Sequence, residues 1–162
     1  LLTDGSFPSS NGRRQLLGGV TDTDPPHHAL CRWGIDPVDP KQPAIFEQFM
    51  VTDGVGVLNN GVELGLRTWN AMKECLQWKQ EEIDKVICHQ VGSANQSAIL
   101  KALGIPIEKN YPSFRFLGNM GTVSLPLTAA LAEERNFLKP GDQVSFLGIG
   151  SGLNCLMMGV EW

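Results

Sequence analysis

The sequence predicts an α/β domain in which helices cover a mixed, mostly parallel sheet of five strands. Three observations predict it. Short β-branched runs alternate along the chain with longer stretches whose apolar residues recur every three or four positions, the two periods that distinguish strands from amphipathic helices. The resulting order is strand, helix, strand, helix, strand, helix, strand, strand, which places helices on a mainly parallel sheet with one antiparallel addition at the end. Composition agrees: 162 residues, 42% hydrophobic and 19% charged, are enough for one domain with one sizeable core.

Residues 3–43 are rich in Gly, Pro, Ser, Asp and Asn and read as a long loop, of the kind that more often covers a site than merely links elements. We expect residues 1–43 to hold the end of a preceding amino-terminal half and a lid segment, and residues 44–162 to form a carboxyl-terminal domain. The opening Leu1-Leu2-Thr3 resembles the tail of an apolar strand, which suggests a fragment. Within the loop, Trp33 is expected to be buried, and His27, His28 and Cys31 lack a second cluster to complete a metal site.

Ala44 to Thr52 alternates as a strand, and Asp53 then offers an N-cap to a long helix. Its apolar stripe runs through Val55, Leu58, Val62, Leu66, Trp69, Met72 and Leu76. Gly54, Gly56, Gly61 and Gly65 lower its propensity by about 1 kcal/mol each, so it forms only when packed closely on a sheet or another helix. Lys85 to Cys88 reads as a buried parallel strand. Ser93 to Leu103 is a helix ended by Gly104 and Pro106, and Tyr111 to Leu117 is a further strand. Ser124 caps a helix with Pro126 in its first turn and Leu127, Leu131, Glu134 and Leu138 along it. Gln143 to Gly148 and Leu153 to Trp162 form a hairpin about Gly150-Ser151-Gly152.

A net charge of -4 and a pI near 5.3 exclude a basic nucleic-acid surface. Apolar runs are far short of the ~20 residues that a membrane span needs. Cys31, Cys75, Cys88 and Cys155 are widely spaced, and all four read as buried thiols in a reducing, cytoplasmic compartment.

The chemistry concentrates in two motifs. His89 ends the Lys85–Cys88 strand, and thirty residues on, Asn119 stands between Gly118 and Gly121. Ligands of open α/β sheets sit beyond the carboxyl ends of the strands, so both side chains can face one pocket. Two neutral donors aimed at a carbonyl oxygen stabilise the charge of an enolate or carbanion; the same pair is also compatible with activation of a thiol. Cys88 adjoins His89 but, by strand alternation, faces away. Gly148-Ile149-Gly150-Ser151-Gly152 is followed by a strand rather than a helix, so an oxyanion-binding turn fits better than a phosphate loop.

Taken as a set, these residues resemble the beta-ketoacyl synthase III family of the thiolase superfamily. The shared features are His-Gln after a strand, Gly-Asn-x-Gly, Ser-x-Pro opening a helix, Lys139-Pro140-Gly141-Asp142 before a strand, and the glycine-rich terminal hairpin. His27-His28-x-x-Cys31-Arg32-Trp33-Gly34 and the closing Gly159-Val160-Glu161-Trp162 are most similar to the branch that joins two fatty acyl-CoA chains head to head in olefin biosynthesis. The resemblance implies half of a thiolase fold and a catalytic Cys-His-Asn triad. His89 and Asn119 would supply two members, the Ser151 backbone would donate to the acyl oxyanion, and the nucleophilic cysteine would lie in the missing amino-terminal half. It further implies a homodimer, acyl-CoA or an acyl carrier protein thioester as substrate, no cofactor, and no activity in this half alone. Gly92 and Ala94 replace residues common in carrier-protein-dependent synthases, among them an Arg, which favours acyl-CoA. Gly121-Thr122-Val123 replaces a serine-rich segment, a change of packing. The other expectations are a synthase III priming fatty acid synthesis from acetyl-CoA and malonyl carrier protein, and a noncatalytic partner subunit.

Overall fold

The computed structural model describes residues 14–39, 41 and 45–162. Residues 1–13, and with them the opening Leu1-Leu2-Thr3, lie outside that description.

Six strands and four helices are present among the described residues: β1 (Gln15–Thr23), β2 (Cys31–Pro37), β3 (Phe46–Thr52), α1 (Gly54–Leu76), β4 (Lys85–Cys88), α2 (Ser93–Ala102), α3 (Phe114–Leu117), α4 (Ser124–Glu134), β5 (Gln143–Gly150) and β6 (Asn154–Glu161). The main sheet has the order β1-β6-β5-β4. Only β4 and β5 are parallel; β1 with β6 and β5 with β6 are antiparallel. The sheet is therefore mixed, as expected, but four-stranded and mostly antiparallel.

Two local causes account for the difference. The strand expected at Tyr111 to Leu117 does not form; a single parallel bridge between Val86 and Asn110 stands just before it. Pro112 has no N–H to donate to a ladder, and the next two amides, of Ser113 and Phe114, are taken by the Gln90 side chain at 2.9 and 3.0 Å. The chain then coils into α3. Residues 46–52 do form a strand, but they pair with β2 in a separate ribbon.

Much of the expected loop is regular. Residues 15–23 run the length of β6, and 31–37 form one side of the ribbon. Glycines at 18 and 19 disguise β1, and they are there because α1 and β6 lie close: a Cβ at Gly18 would come within 2.9 Å of Leu76 Cδ2. Since β1 belongs to the main sheet, the sheet extends across the expected boundary at residue 43. Trp33 is 69% exposed on the ribbon, not buried.

Helix α1 begins as expected, with the Asp53 carboxylate accepting the Gly56 N–H at 2.9 Å. Trp69 and Met72 of the expected stripe are buried, but the inward face is turned so that Gly61, Leu64, Gly65 and Thr68 are buried with them, whereas Val55 and Leu66 are exposed. Glycine forms part of the contact because α2 lies so near; a Cβ at Gly65 would sit 2.7 Å from Ile99 Cδ1. A stripe read from large apolar residues misses such a face. In α4, too, the buried residues are Ser124, Thr128, Ala129 and Ala132. Ser124 lies inside this helix rather than capping it, and its Oγ accepts the Met120 N–H at 3.2 Å.

Two cores lie on opposite faces of the sheet. One, under α1 and α2, contains Leu64, Trp69, Met72, Val86, Cys88, Leu100, Leu147 and Met157. The other, under α4, contains Ile87, Ala129, Ala132, Leu138 and Val144. Strand β4 supplies both in alternation, as a strand covered on both faces should.

Candidate active site

His89 follows the last residue of β4, and its N–H donates to Leu147 O at 2.8 Å, extending the β4–β5 ladder by one bond. The imidazole is thus carried to the carboxyl edge of the only parallel pair in the described sheet. Burial lowers its pKa from the usual 6.5, because low-dielectric surroundings disfavour the charged ring. A neutral imidazole can donate through one nitrogen and accept through the other.

Beside it, a cavity of about 110 Å³ opens between α1, α2 and the ends of β4 and β5. Its walls are mainly apolar, with Val57, Leu58, Val62, Ile99, Leu147 and Ile149, and its polar members include His89, Asn95 and Gln96. Cys88 borders the same cavity, contrary to the expectation that it faces away from it. Strand alternation ends at Cys88, so it does not govern His89. The Cys88 thiol is buried and its pKa is pushed up to about 12, which removes it as a nucleophile at neutral pH. Cys155 is also buried and raised by desolvation. The expectation of four buried thiols fails at the other two: Cys75 is exposed and Cys31 is half-buried.

Asn119 is exposed on the loop after α3 and is not among the residues lining the cavity. Gly118 precedes it at φ 64°, a left-handed conformation that favours glycine. The Asn119 Oδ1 accepts the Gly121 N–H at 3.0 Å. That bond fixes the amide orientation and leaves Nδ2 as the outward donor, with no partner among the described residues.

Ser151 also lies outside the cavity lining, at the tip of the β5–β6 hairpin, and its turn is fastened from three sides. Asn154 Nδ2 donates to Ser151 O at 2.6 Å. Leu153 O accepts the Asp24 N–H at 2.9 Å. Ser151 Oγ donates to Cys31 Sγ at 3.2 Å. Gly152, at φ 133°, packs so tightly on the Asn154 amide that a Cβ would lie 2.1 Å from Nδ2. The segment from Asp24 to Cys31 is therefore a strap across this turn, held to the start of α1 by the Asp53 N–H donating to Leu30 O at 2.8 Å. His27 and His28 are engaged within it, with Asp24 Oδ2 at 2.7 Å and Pro25 O at 3.0 Å.

Composition and periodicity do not expose the fastening residues Gln90, Asn154 and Asp24. Gln90 enters the sequence reading only as the second letter of His-Gln, and Asn154 and Asp24 carry no signal of their own.

A family model described as 3-oxoacyl-(acyl-carrier-protein) synthase III, C terminal, matches residues 74–162. The chain belongs to this family. An acyl-CoA:acyl-CoA alkyltransferase of Shewanella oneidensis is 54% identical across all of this chain, which spans 46% of that protein. A Xanthomonas campestris protein of the same name is 37% identical over 90% of this chain and 39% of its own length. The crystal structure of a cysteine-to-serine variant of Xanthomonas campestris OleA, with bound lauric acid and lauroyl-CoA, superposes on 92% of this chain and 41% of its own, with a TM-score of 0.79 and 36% identity. The chain has the thiolase-like fold of these neighbours and spans less than half the length of the curated relatives it matches.

Proposed function

We propose that this chain is the carboxyl-terminal half of an enzyme that joins two acyl thioesters by Claisen condensation, with fatty acyl-CoA as substrate and a 3-oxoacyl product. A cysteine of the amino-terminal half attacks the first thioester and expels CoA. A base of the assembled enzyme, outside this chain, takes a proton from the α-carbon of the second thioester, and His89 with Asn119 stabilises the negative charge that gathers on its carbonyl oxygen. The resulting carbanion attacks the acyl-cysteine, whose oxyanion the Ser151 amide receives before the cysteine leaves. The chain alone, lacking the nucleophile, does not complete this cycle, and the whole enzyme acts as a homodimer.

The observation that carries this reading is the His89 imidazole lining a mainly apolar cavity, where burial lowers its pKa and favours the uncharged ring. A cationic ring would be poorly tolerated there, and a neutral donor needs little reorganisation as charge develops. The apolar walls suit an alkyl chain. The Asn119 Nδ2, freed by the Gly121 bond, is the matching second donor.

The test is to coexpress this chain with a cysteine-bearing amino-terminal half and follow free CoA and 3-oxo products from fatty acyl-CoA. His89→Ala and Asn119→Ala are each expected to lower turnover by about 10²–10³-fold; unchanged turnover in either overturns the reading. A synthase III that takes malonyl carrier protein is the second reading, favoured by the description of the family model. Competition between carrier-protein and CoA substrates separates them. Ala94, where an Arg is common in carrier-dependent synthases, favours CoA.

A further inference from the structure

We propose that Gln90 is a positioning residue that sets where Asn119 stands relative to His89. The inference rests on the roles proposed for those two residues and adds the element that couples them.

Gln90 is 1% exposed and has its side-chain amide engaged at both ends. Its Nε2 donates to Cys88 O at 2.7 Å, and its Oε1 accepts the N–H groups of Ser113 and Phe114 at 2.9 and 3.0 Å. A flipped amide would face two donors with a donor and a carbonyl with an acceptor, so the partners allow one orientation. His89 sits between Cys88 and Gln90, inside a loop that the Nε2 bond closes. Its backbone is therefore held by Leu147 O on one side and by the Gln90 amide on the other.

The Oε1 end holds the other half of the proposed pair. Ser113 O accepts the N–H groups of Phe116 and Leu117, and Phe114 O accepts that of Gly118. These bonds form a single tight turn that delivers Asn119. On the far side of Asn119, the Met120 N–H is held by Ser124 Oγ of α4, and a 2.6 Å bond between Ser113 and Thr128 hydroxyls ties the start of the turn to the same helix. The segment that carries Asn119 is thus tied on the β4 side by Gln90, just past the strand end, and farther back by the Val86–Asn110 bridge, and on the other side by Ser124 and Thr128 of α4. Without Gln90, the loop keeps its α4 anchors and the more distant bridge and loses its direct tie to the residue beside the histidine.

A residue that only fills and caps the interior would affect all steps alike when removed. A positioning residue should affect the step that needs His89 and Asn119 together. The experiment uses the enzyme that this chain forms with its amino-terminal half, carrying Gln90→Met, which keeps length but no bonds, or Gln90→Glu, which keeps the acceptor pair. Release of CoA on acylation of the cysteine and the later condensation are timed separately, beside thermal melting and a control, Leu103→Ala, in the core. In whichever Gln90 variant folds, condensation is expected to slow by about 10-fold or more beyond any change in acylation, while Leu103→Ala lowers the melting temperature without splitting the two steps. Equal change in both steps, or no change in either, overturns the proposal. If Asn119→Ala leaves condensation intact, the underlying reading fails on its own, whatever Gln90 does.

Discussion

Desolvation acts in opposite directions on two adjacent residues of this chain. It keeps His89 neutral by lowering its pKa below 6.5, and it keeps Cys88 neutral by raising its thiol to about 12. For the histidine, the folded chain holds fewer protons than the unfolded chain between the lowered value and 6.5, so stability rises with pH across that window and falls as pH drops through it. Urea midpoints measured from pH 5 to 7 should therefore increase with pH, and His89→Gln should flatten the increase. Condensation should fade as pH falls through the lowered His89 value, on the acid side of 6.5. For the cysteine, Cys88→Ala should leave the first acylation intact while destabilising the fold, since the thiol fills a core position. Loss of the acyl-enzyme in that variant, read by intact mass, would show that the nucleophile had been misplaced.

At the scale of elements, glycine behaves differently according to what it faces. In α1, Gly65 meets Ile99 at 2.7 Å from its would-be Cβ, whereas Gly54 has nothing within 4 Å. Gly65→Val is expected to separate α1 from α2 and to cost about 1–3 kcal/mol through overpacking. Gly54→Ala should instead add about 0.4–1 kcal/mol by restricting the unfolded chain; chemical denaturation of the pair tests both signs. In the β5–β6 turn, Asn154→Ala removes the donor to Ser151 O and loosens the tip, which keeps its ties to Asp24 and Cys31. We expect about a 10-fold loss of turnover with little change in melting temperature. The elements themselves were partly legible. Asp53, Gly104 and Pro106 marked helix ends through capping chemistry that is local in sequence. The β1 strand and the loss of a strand after Tyr111 were not legible, because each depends on a distant partner: β6 and α1 for the glycines of β1, and the Gln90 side chain for the amides of Ser113 and Phe114. The inward face of α1 was legible at Trp69 and Met72 but not at Gly61 and Gly65, since a contact made through glycine has no large residue to advertise it. Motif spacing and the family resemblance single out His89, Asn119 and Ser151, the residues proposed for the site, but what holds them in place was not legible.

For the whole molecule, one sheet serves two cores, and damage to either should be felt through both. Leu64→Ala under α1 and Ile87→Ala under α4 are each expected to lose about 2–5 kcal/mol. Both variants should still unfold in a single transition, with buried Trp69 fluorescence and far-UV circular dichroism coinciding. Separate transitions would mean that the faces fold independently. No helix among the described residues is long and apolar enough to cross a membrane.

The alternation of Val86, Ile87 and Cys88 between the two cores also acts as a ruler. If β4 slid by one position against β5, each of these side chains would be delivered to the opposite core, and residues fitted to the α1 side would be pressed against α4. Both faces of the sheet resist that slip, so the strand has only one acceptable register. His89 is the next residue along, and its height above the sheet edge is therefore measured out by packing on both sides, before any ligand arrives.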